Sequence, residues 1–341
     1  MPELPEVEVV RAGLAPAVTG ATVISAEVRD PRALKRHLPL GADGLPGDDG
    51  LGGHGVRLPF EAGVARAADF ERRVTGLVLD APRRRGKFMW IPVERGAGDE
   101  SQPGSVPIPL VERGARDESK PDQLALLAHL GMSGQMLLRA HDAPDDRHVR
   151  IRLWIEHPAH GELRLDFADQ RLFGSLALDR LLPAPDGIDL IPGQALHIAR
   201  DPLDPAFDDA GFLLALRRRG VGVKKLLLDQ TLVSGVGNIY ADEALWRARI
   251  HPETPGTAIG PRKARELLSA LRDVFTQALA EGGTSFDAQY VNVNGQAGYF
   301  AHSLNAYGRQ GAPCPRCGRP IVRESFMNRG SHFCPKCQQL R

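Results

Sequence analysis

The chain has 341 residues, a net charge of +1 and 25% charged residues, so it is long enough for two domains or slightly more. Because no apolar run reaches 18 residues and no signal-peptide pattern is present, we expect a soluble, cytoplasmic protein with no membrane partner. All four cysteines lie in the last 28 residues, which excludes the pattern of a disulfide-stapled secreted protein of this size.

The first predicted element is a helix that begins close to the amino terminus. Apolar residues recur at spacings of three and four, which is typical of a buried helical face. These residues are Val7, Val10, Leu14 and Val18.

The residues that start this helix also suggest chemistry. Pro2 becomes a secondary amine at the chain end if Met1 is removed, and such an amine can hold a sugar carbon as an iminium ion. Glu3 and Glu6 could supply the proton transfers, and the helix N-terminus would disfavour the charged form of the amine. The alternative is an ordinary helix start, in which proline and acids are common.

The rest of the first half, to about Pro192, is predicted to be mainly β. Short apolar or alternating runs separated by turn residues indicate a sandwich or barrel behind the N-terminal helix. These runs are Val23 to Val28 and residues 88–91, 124–130, 149–155 and 163–167.

Two stretches in this half have the composition of inserted loops. Residues 39–63 are rich in Gly, Pro and Asp, and residues 94–123 contain a tandem duplication with an offset of 18 residues. Two copies of so short a unit do not make a solenoid, so we expect both stretches to be disordered and outside the chemistry.

After a linker at residues 201–205, the apolar period becomes helical over residues 212–219, 224–232, 238–250 and 261–280. The segment 228–240 indicates helix, glycine-rich turn and helix, with Asn238 as the predicted N-cap. Amides at such a helix start can bind a phosphate, and the nearby Lys224 and Lys225 favour this interpretation. The alternative is a simply capped helix pair.

The cysteine-bearing tail has the spacing of a four-thiolate zinc site. Cys314 and Cys317 form one Cys-x-x-Cys pair, and Cys334 and Cys337 form the other. Four thiolates close the tetrahedron of a structural ion, whereas two redox dithiols would need a βαβ context that is missing. Residues 305–341 carry seven Lys or Arg and one acid, which suggests a finger that contacts phosphate.

Together these motifs closely resemble the formamidopyrimidine-DNA glycosylase family, bacterial enzymes that remove oxidised purines such as 8-oxoguanine. The resemblance covers nearly the whole chain. It is carried by residues 2–8, Arg85-Gly86-Lys87, residues 129–134, residues 169–174, Lys224, residues 235–240, Gly298-Tyr299-Phe300, Tyr307-Gly308-Arg309 and the four cysteines.

The resemblance implies an α+β multidomain fold that grips DNA between two lobes. We expect a catalytic β-sandwich domain with flanking helices over residues 1–200, a helix-two-turn-helix domain over 205–300 and a zinc finger over 305–341. One structural zinc, damaged double-stranded DNA as partner, no nucleotide cofactor and a monomeric state complete the expectation.

The catalytic roles follow residue by residue from the same resemblance. Pro2 would attack C1′ of the flipped nucleotide, Glu3 would assist opening of the sugar, and Glu6 would order the site. Lys87 would donate a proton in the lyase step and meet phosphate. Arg329, on the finger, would serve the final elimination.

The DNA contacts are implied in the same way. Met132, Arg171 and Phe173 would fill the space left by the extruded base; the alternative is that Met132 and Phe173 are core residues. His148, Lys224, Asn238 and Arg329 match phosphate contacts, although residues 142–147 depart from the family pattern before His148. Residues 285–298 correspond to the loop that closes over the damaged base.

The expected function is therefore a bifunctional DNA glycosylase and AP lyase for oxidised purines. It would act through a Schiff base on Pro2, followed by β,δ-elimination at the abasic site. Two alternatives stay open. One is an endonuclease VIII-like glycosylase for oxidised pyrimidines, and the other is a catalytically silent DNA-binding relative.

Overall fold

The computed structural model describes residues 2–39, 58–95, 123–284 and 299–340. Most of the two expected inserts and the whole loop at 285–298 lie outside these residues. Six α-helices occur in the described ranges: α1 (Leu4–Val18), α2 (Phe60–Val74), α3 (Asp209–Arg217), α4 (Val223–Leu228), α5 (Asn238–Ala248) and α6 (Pro261–Ala280). None of these helices is long and apolar enough to cross a membrane.

Twelve strands occur in the same ranges. They are β1 (Thr22–Val28), β2 (Leu77–Leu79), β3 (Arg83–Arg85), β4 (Phe88–Arg95), β5 (Leu124–His129), β6 (Gly134–Ala140), β7 (Val149–His157), β8 (Gly161–Asp169), β9 (Ser175–Pro183), β10 (Leu190–Pro192), β11 (Val322–Phe326) and β12 (Arg329–Phe333).

The first ten strands form one antiparallel sheet in the order β10-β9-β5-β4-β2-β1-β7-β8-β6, with β3 paired to β4. A single apolar cluster contains residues from both ends of this path, such as Leu178 on β9 and Phe167 on β8. The sheet therefore curls over its own core, as the expected sandwich requires. Helix α1 closes the core with its predicted apolar face, because Val7 and Leu14 are fully buried.

The central strands are buried on both sides of the sheet. On β4, Met89 and Ile91 belong to the main core, whereas Phe88 and Trp90 belong to a second cluster beneath β10. A strand covered on both faces has a continuous apolar run rather than an alternating one. This explains why β4 could be predicted from its composition.

The first insert is shorter than predicted, because helix α2 begins inside it. The sequence predicts a disordered loop to residue 63, but residues 60–63 form the first turn of this helix. Its buried side includes Arg66 and Asp69 beside Phe70 and Val74. Ion pairs from Arg72 and Arg73 to Asp69, and a hydrogen bond donated by His37 Nε2 at 3.0 Å, satisfy the buried carboxylate.

The second lobe is helical, as predicted, and α6 has the predicted bounds. One detail differs, because Gly237 and not Asn238 occupies the N-cap of α5. Leu4, the first residue of α1, packs in the core of this lobe, and its N–H donates to the Gly235 carbonyl oxygen at 3.1 Å. The amino terminus therefore crosses from one lobe to the other.

The tail forms a two-stranded hairpin of β11 and β12, joined by a two-residue turn in which Met327 has φ 51°. It docks against α5, since the guanidinium of Arg316 lies 3.8 Å from the ring centre of Trp246. The Gln338 side chain donates to the Ile250 carbonyl oxygen just after that helix.

Candidate active site and nucleic-acid interface

Glu3 lies at the junction of the two lobes, immediately after the buried Pro2. Its carboxylate accepts hydrogen bonds from the backbone N–H groups of Ile239 at 3.1 Å and Tyr240 at 3.4 Å. The chain end thus caps the N-terminus of α5, where unpaired amides and the helix dipole favour a negative charge. Burial nevertheless raises the pKa of the Glu3 carboxyl to about 7, opposed by the charge of Lys87.

Two glycines make this approach of the chain end to α5 possible. A Cβ at Gly237 would lie 2.1 Å from the carboxyl carbon of Glu3. Gly235 has φ 84°, and a Cβ there would lie 2.6 Å from Leu4. The sequence predicts that the glycine-rich turn binds a phosphate. In the structure the space beside Gly235 and Gly237 is occupied by Leu4 and Glu3 of the chain itself.

Glu6 joins the helix start to two parts of the second lobe. One carboxylate oxygen accepts from the Glu3 backbone N–H at 2.8 Å. The other accepts from the Tyr240 hydroxyl and from the backbone and side chain of Thr284 at 2.8 Å. Burial, with the negative charge of Glu6, raises the pKa of Tyr240 well above its usual value, so its hydroxyl is a donor here. These contacts agree with an ordering role.

Lys87 approaches the same site from the turn between β3 and β4. Its ammonium donates to the Val236 carbonyl oxygen at 2.9 Å. Burial lowers the pKa of Lys87, the Glu3 carboxylate opposes that effect, and the positive charge of Arg329 adds to it. A lysine whose pKa is lowered in this way can exchange a proton more readily near neutral pH.

The predicted DNA-facing residues leave the sheet at the same end as Lys87. Phe88 on β4 pairs with His129 on β5, and His129 pairs with Ser175 on β9. The turns that carry Lys87, Met132 and Phe173 are therefore neighbours in space. Met132 and Phe173 are each 41% exposed, so neither is a core residue.

Arg171 lies beside Phe173, with its guanidinium 4.8 Å from the ring centre. The backbone N–H of Arg171 donates to the Asp169 carboxylate at 3.1 Å, which also accepts from the Ser133 hydroxyl. The loops of Met132 and Phe173 thus share one buried carboxylate. His148 is tied to the same point, because its carbonyl oxygen accepts from the Asp169 N–H at 2.8 Å.

Two residues with an implied phosphate contact are buried in this structure. Lys224 has no exposed surface, and its ammonium lies 2.7 Å from the Asp242 carboxylate. Asn238 is 8% exposed, and its side-chain amide donates to the Gly330 carbonyl oxygen at 3.0 Å, which Lys224 also reaches at 3.2 Å. Both side chains therefore hold the finger strand directly after the exposed Arg329.

The sequence predicts no role for Tyr240, Thr284 or Asp242, although all three contact predicted site residues. Asp242 accepts from the backbone N–H of His332 at 2.8 Å and so fixes β12 on α5. In sequence these residues have the ordinary appearance of helix and loop positions. Glu6, the partner of Tyr240 and Thr284, lies 234 and 278 residues away from them, and His332 lies 90 residues from Asp242, so local sequence patterns contain no sign of these contacts.

The four cysteines converge as their spacing predicts. All four sulfur atoms lie within 4.8 Å of one another, which fits a tetrahedral ion with Zn–S bonds of about 2.3 Å. The sulfurs of Cys314 and Cys334 pack in one cluster with Trp246, so the metal site and α5 form one unit. A zinc ion held here would fix the base of the β11–β12 hairpin that carries Arg329.

Comparison with known proteins finds matching family models along most of the chain. The formamidopyrimidine-DNA glycosylase N-terminal domain matches residues 1–48 and 55–176, and the H2TH domain of the same enzymes matches residues 198–289. A zinc finger found in these glycosylases and in isoleucyl-tRNA synthetases matches residues 311–340.

Individual proteins are similar over the full length. A formamidopyrimidine-DNA glycosylase of Leifsonia xyli subsp. xyli is 54% identical, with 100% of each chain covered. The Lactococcus lactis enzyme bound to abasic DNA is 28% identical with a TM-score of 0.71, covering 99% of each chain. A second structure of that enzyme, in complex with DNA containing an oxidised pyrimidine, has the same identity and TM-score and covers 99% of this chain.

Proposed function

The chain belongs to the formamidopyrimidine-DNA glycosylase family, and from this premise we propose that Pro2 is the nucleophile of its reaction. The enzyme is a base-excision repair glycosylase with damaged DNA as its partner and one structural zinc. We further propose a cytoplasmic location, at the nucleoid when the enzyme is bound to DNA, since its relatives are bacterial proteins. The proposed domains span residues 1–200, 205–300 and 305–341.

The observation that carries the proposal is the environment of the chain end. Removal of Met1 leaves Pro2 as a secondary amine directly before Glu3, whose carboxyl has a pKa of about 7. Such a carboxyl is partly protonated at neutral pH and can give a proton to the sugar ring oxygen as the ring opens. The amine lone pair forms the bond to C1′, and the base departs with the electron pair of its bond to C1′ and takes up a proton. Loss of the amine proton and cleavage of the bond from C1′ to the ring oxygen, which takes the proton of Glu3, then give the iminium ion.

Lys87 and Arg329 are proposed for the lyase step that follows. The iminium ion on Pro2 acidifies the C2′ proton, and loss of that proton expels the 3′ phosphate; a second elimination expels the 5′ phosphate. Lys87 lies close enough to Glu3 for their charges to act on each other's pKa, and Arg329 acts on Lys87 in the same way. The exposed guanidinium of Arg329 suits a departing phosphate.

The DNA duplex is proposed to lie across the end of the sheet from which Met132, Arg171 and Phe173 protrude. Exposed apolar side chains next to an arginine suit the gap left by a flipped nucleotide, where stacking and base hydrogen bonds are lost. We propose that His148 meets phosphate beside them. For Lys224 and Asn238 their burial supports a positioning role on the finger in place of a direct phosphate contact.

We propose oxidised purines as the substrates. The reason is that the motifs at residues 2–8, 129–134 and 169–174 resemble those of the formamidopyrimidine-DNA glycosylases. A second class has one specific observation in its favour. The Lactococcus lactis enzyme was crystallised with DNA that contains an oxidised pyrimidine. Oxidised pyrimidines are therefore proposed as secondary substrates of the same site.

The test is borohydride trapping on duplexes that carry 8-oxoguanine opposite cytosine or an oxidised pyrimidine. We expect a covalent adduct on the purine lesion that weakens in Pro2→Gly, after mass spectrometry has established that Met1 is absent. Stronger trapping on the pyrimidine lesion would reverse the substrate order. Tight binding without an adduct on either lesion would indicate a silent DNA-binding relative.

A further inference from the structure

The turn that carries Arg171 and Phe173 contains a strained residue. Leu172 has φ 56°, a left-handed conformation that is uncommon for a residue other than glycine. It turns the Leu172 side chain toward the main core while its two neighbours stay exposed. Such a conformation persists only where surrounding contacts hold it.

The N–H groups of this turn are held by one buried carboxylate. Asp169 is 1% exposed and accepts from the N–H groups of Arg171 at 3.1 Å and Gly174 at 2.6 Å. These hydrogen bonds fix the N–H groups at the two ends of the turn. A carboxylate cannot donate to the carbonyl groups of Leu172 and Phe173 between them, which need a different partner.

Lys35 supplies the contacts to those carbonyl groups. Its ammonium donates to the carbonyl oxygen of Leu172 at 2.9 Å and to that of Phe173 at 2.9 Å. The residue is 8% exposed, and it lies 137 residues before the turn. A buried ammonium needs such partners, and hydrogen bonds from a charged donor are stronger than those from a neutral one.

Lys35 is fixed in turn by helix α2. The guanidinium of Arg66, which has no exposed surface, donates to the carbonyl oxygens of Leu34 at 3.2 Å and Lys35 at 2.9 Å. Helix α2 therefore holds the backbone of Lys35, and the side chain of Lys35 holds the strained turn.

We propose that Lys35 is a positioning residue for the part of the reaction that needs an intact duplex, an inference that rests on the proposed function of Arg171 and Phe173. By fixing the carbonyl groups of Leu172 and Phe173, it keeps both exposed side chains ready to enter the gap left by the flipped nucleotide. Without it the turn relaxes toward an ordinary backbone conformation, and part of the binding free energy is spent on ordering it.

The test replaces Lys35 with Met, which keeps the length of the side chain and removes the ammonium. We expect single-turnover excision of 8-oxoguanine from duplex DNA to fall at least about tenfold, because the turn loses two charge-assisted hydrogen bonds. The rate of cleavage at a preformed abasic site in single-stranded DNA should change by less than about twofold. Single-stranded DNA has no gap in a duplex for Arg171 and Phe173 to fill. Lys263→Met is the matched control, since Lys263 forms a local ion pair with Glu266 on α6.

A double-mutant cycle with Phe173→Ala separates positioning from general stability. If Lys35 acts through the turn, its replacement should cost less than about threefold in the Phe173→Ala background. Equal losses on duplex and single-stranded substrates, or an undiminished effect in that background, would overturn the proposal. Lys35→Gln keeps one donor and serves if the Met variant does not fold. Failure of the proposed function itself would appear separately, as absence of excision by the wild-type enzyme.

Discussion

The carboxylate of Glu3 lies 3.1 Å from the backbone nitrogen of Ile239, 236 residues further along the chain. The acid next to the proposed nucleophile is therefore held by backbone N–H groups of the second lobe. Any change in how the lobes meet will move this carboxylate. The first two predictions depend on this contact.

Gly237→Ala should strongly reduce activity without preventing folding. The added Cβ would lie 2.1 Å from the carboxyl carbon of Glu3 and would push it away from α5. Displacement by about 1 Å at a reacting centre costs roughly 10²-fold in rate, which single-turnover excision would measure. Gly260→Ala is the matched control, because Gly260 caps α6 and a Cβ there meets nothing within 4 Å. Equal activity of the two variants would contradict the prediction.

The raised pKa of Glu3 should give stability a defined pH dependence. Between pH 4.5 and about 7 the folded protein binds a proton at Glu3 that the unfolded chain has released, so the contribution to stability falls as pH rises. A shift of this size corresponds to about 3 kcal/mol at most. Denaturant unfolding of Glu3→Gln should show a correspondingly flatter profile across this range, and wild-type excision should decline above about pH 7.

Glu8 serves as a control, because the pKa of its carboxyl is shifted in the opposite direction to that of Glu3. Burial raises the pKa of its carboxyl, but hydrogen bonds from Arg11 and Arg84 outweigh that effect and lower it. Its contribution is present above the unfolded pKa and is lost as pH falls. Glu8→Gln should therefore lower stability at neutral pH, and its difference from wild type should shrink as pH falls through the acid range. An identical slope in wild type and Glu3→Gln would rule out the proposed protonation.

Zinc removal should release the finger from α5 and abolish activity. We expect one zinc per chain by atomic absorption and a change in tryptophan fluorescence on chelation, because Trp246 packs against Cys314 and Cys334. Trp246→Phe should lose most of this signal, whereas Trp154→Phe, in the sheet, should keep it. Retained activity after complete removal of the metal would contradict the prediction that the zinc-bound finger is needed to position Arg329.

Lys224→Met should destabilise the protein and leave the salt dependence of DNA binding unchanged. Removing the ammonium leaves the buried Asp242 carboxylate without its partner at 2.7 Å, at a cost of about 3–5 kcal/mol. Lys225→Met, at an exposed neighbouring position, should cost less than about 0.5 kcal/mol. Urea unfolding and binding at several salt concentrations measure both quantities. A salt slope lowered by about one in Lys224→Met would instead support a direct phosphate contact.

Local sequence patterns were sufficient for several elements. The spacing of Val7 and Leu14 predicts α1, the periodicity of residues 261–280 gives the bounds of α6, and the cysteine spacing predicts the convergence of four sulfur atoms. Each of these signals depends on residues close together in the chain, where helix period and turn geometry act directly. Helix α2 was not predicted, although Ala67, Phe70 and Val74 recur at helical spacings, because its first turn follows directly on a stretch rich in Gly, Pro and Asp.

Sequence patterns alone were enough to identify the family, to propose Pro2 as the nucleophile and to predict four cysteine ligands for the metal. Three contacts could be identified only in the folded structure. Glu3 caps α5, Lys224 is buried against Asp242, and Lys35 donates to the turn at Leu172. The physical reason is that burial, pKa and hydrogen-bond partners depend on which groups surround an atom in space. These groups come from the other lobe or from distant strands, and short-range periodicity contains no information about them.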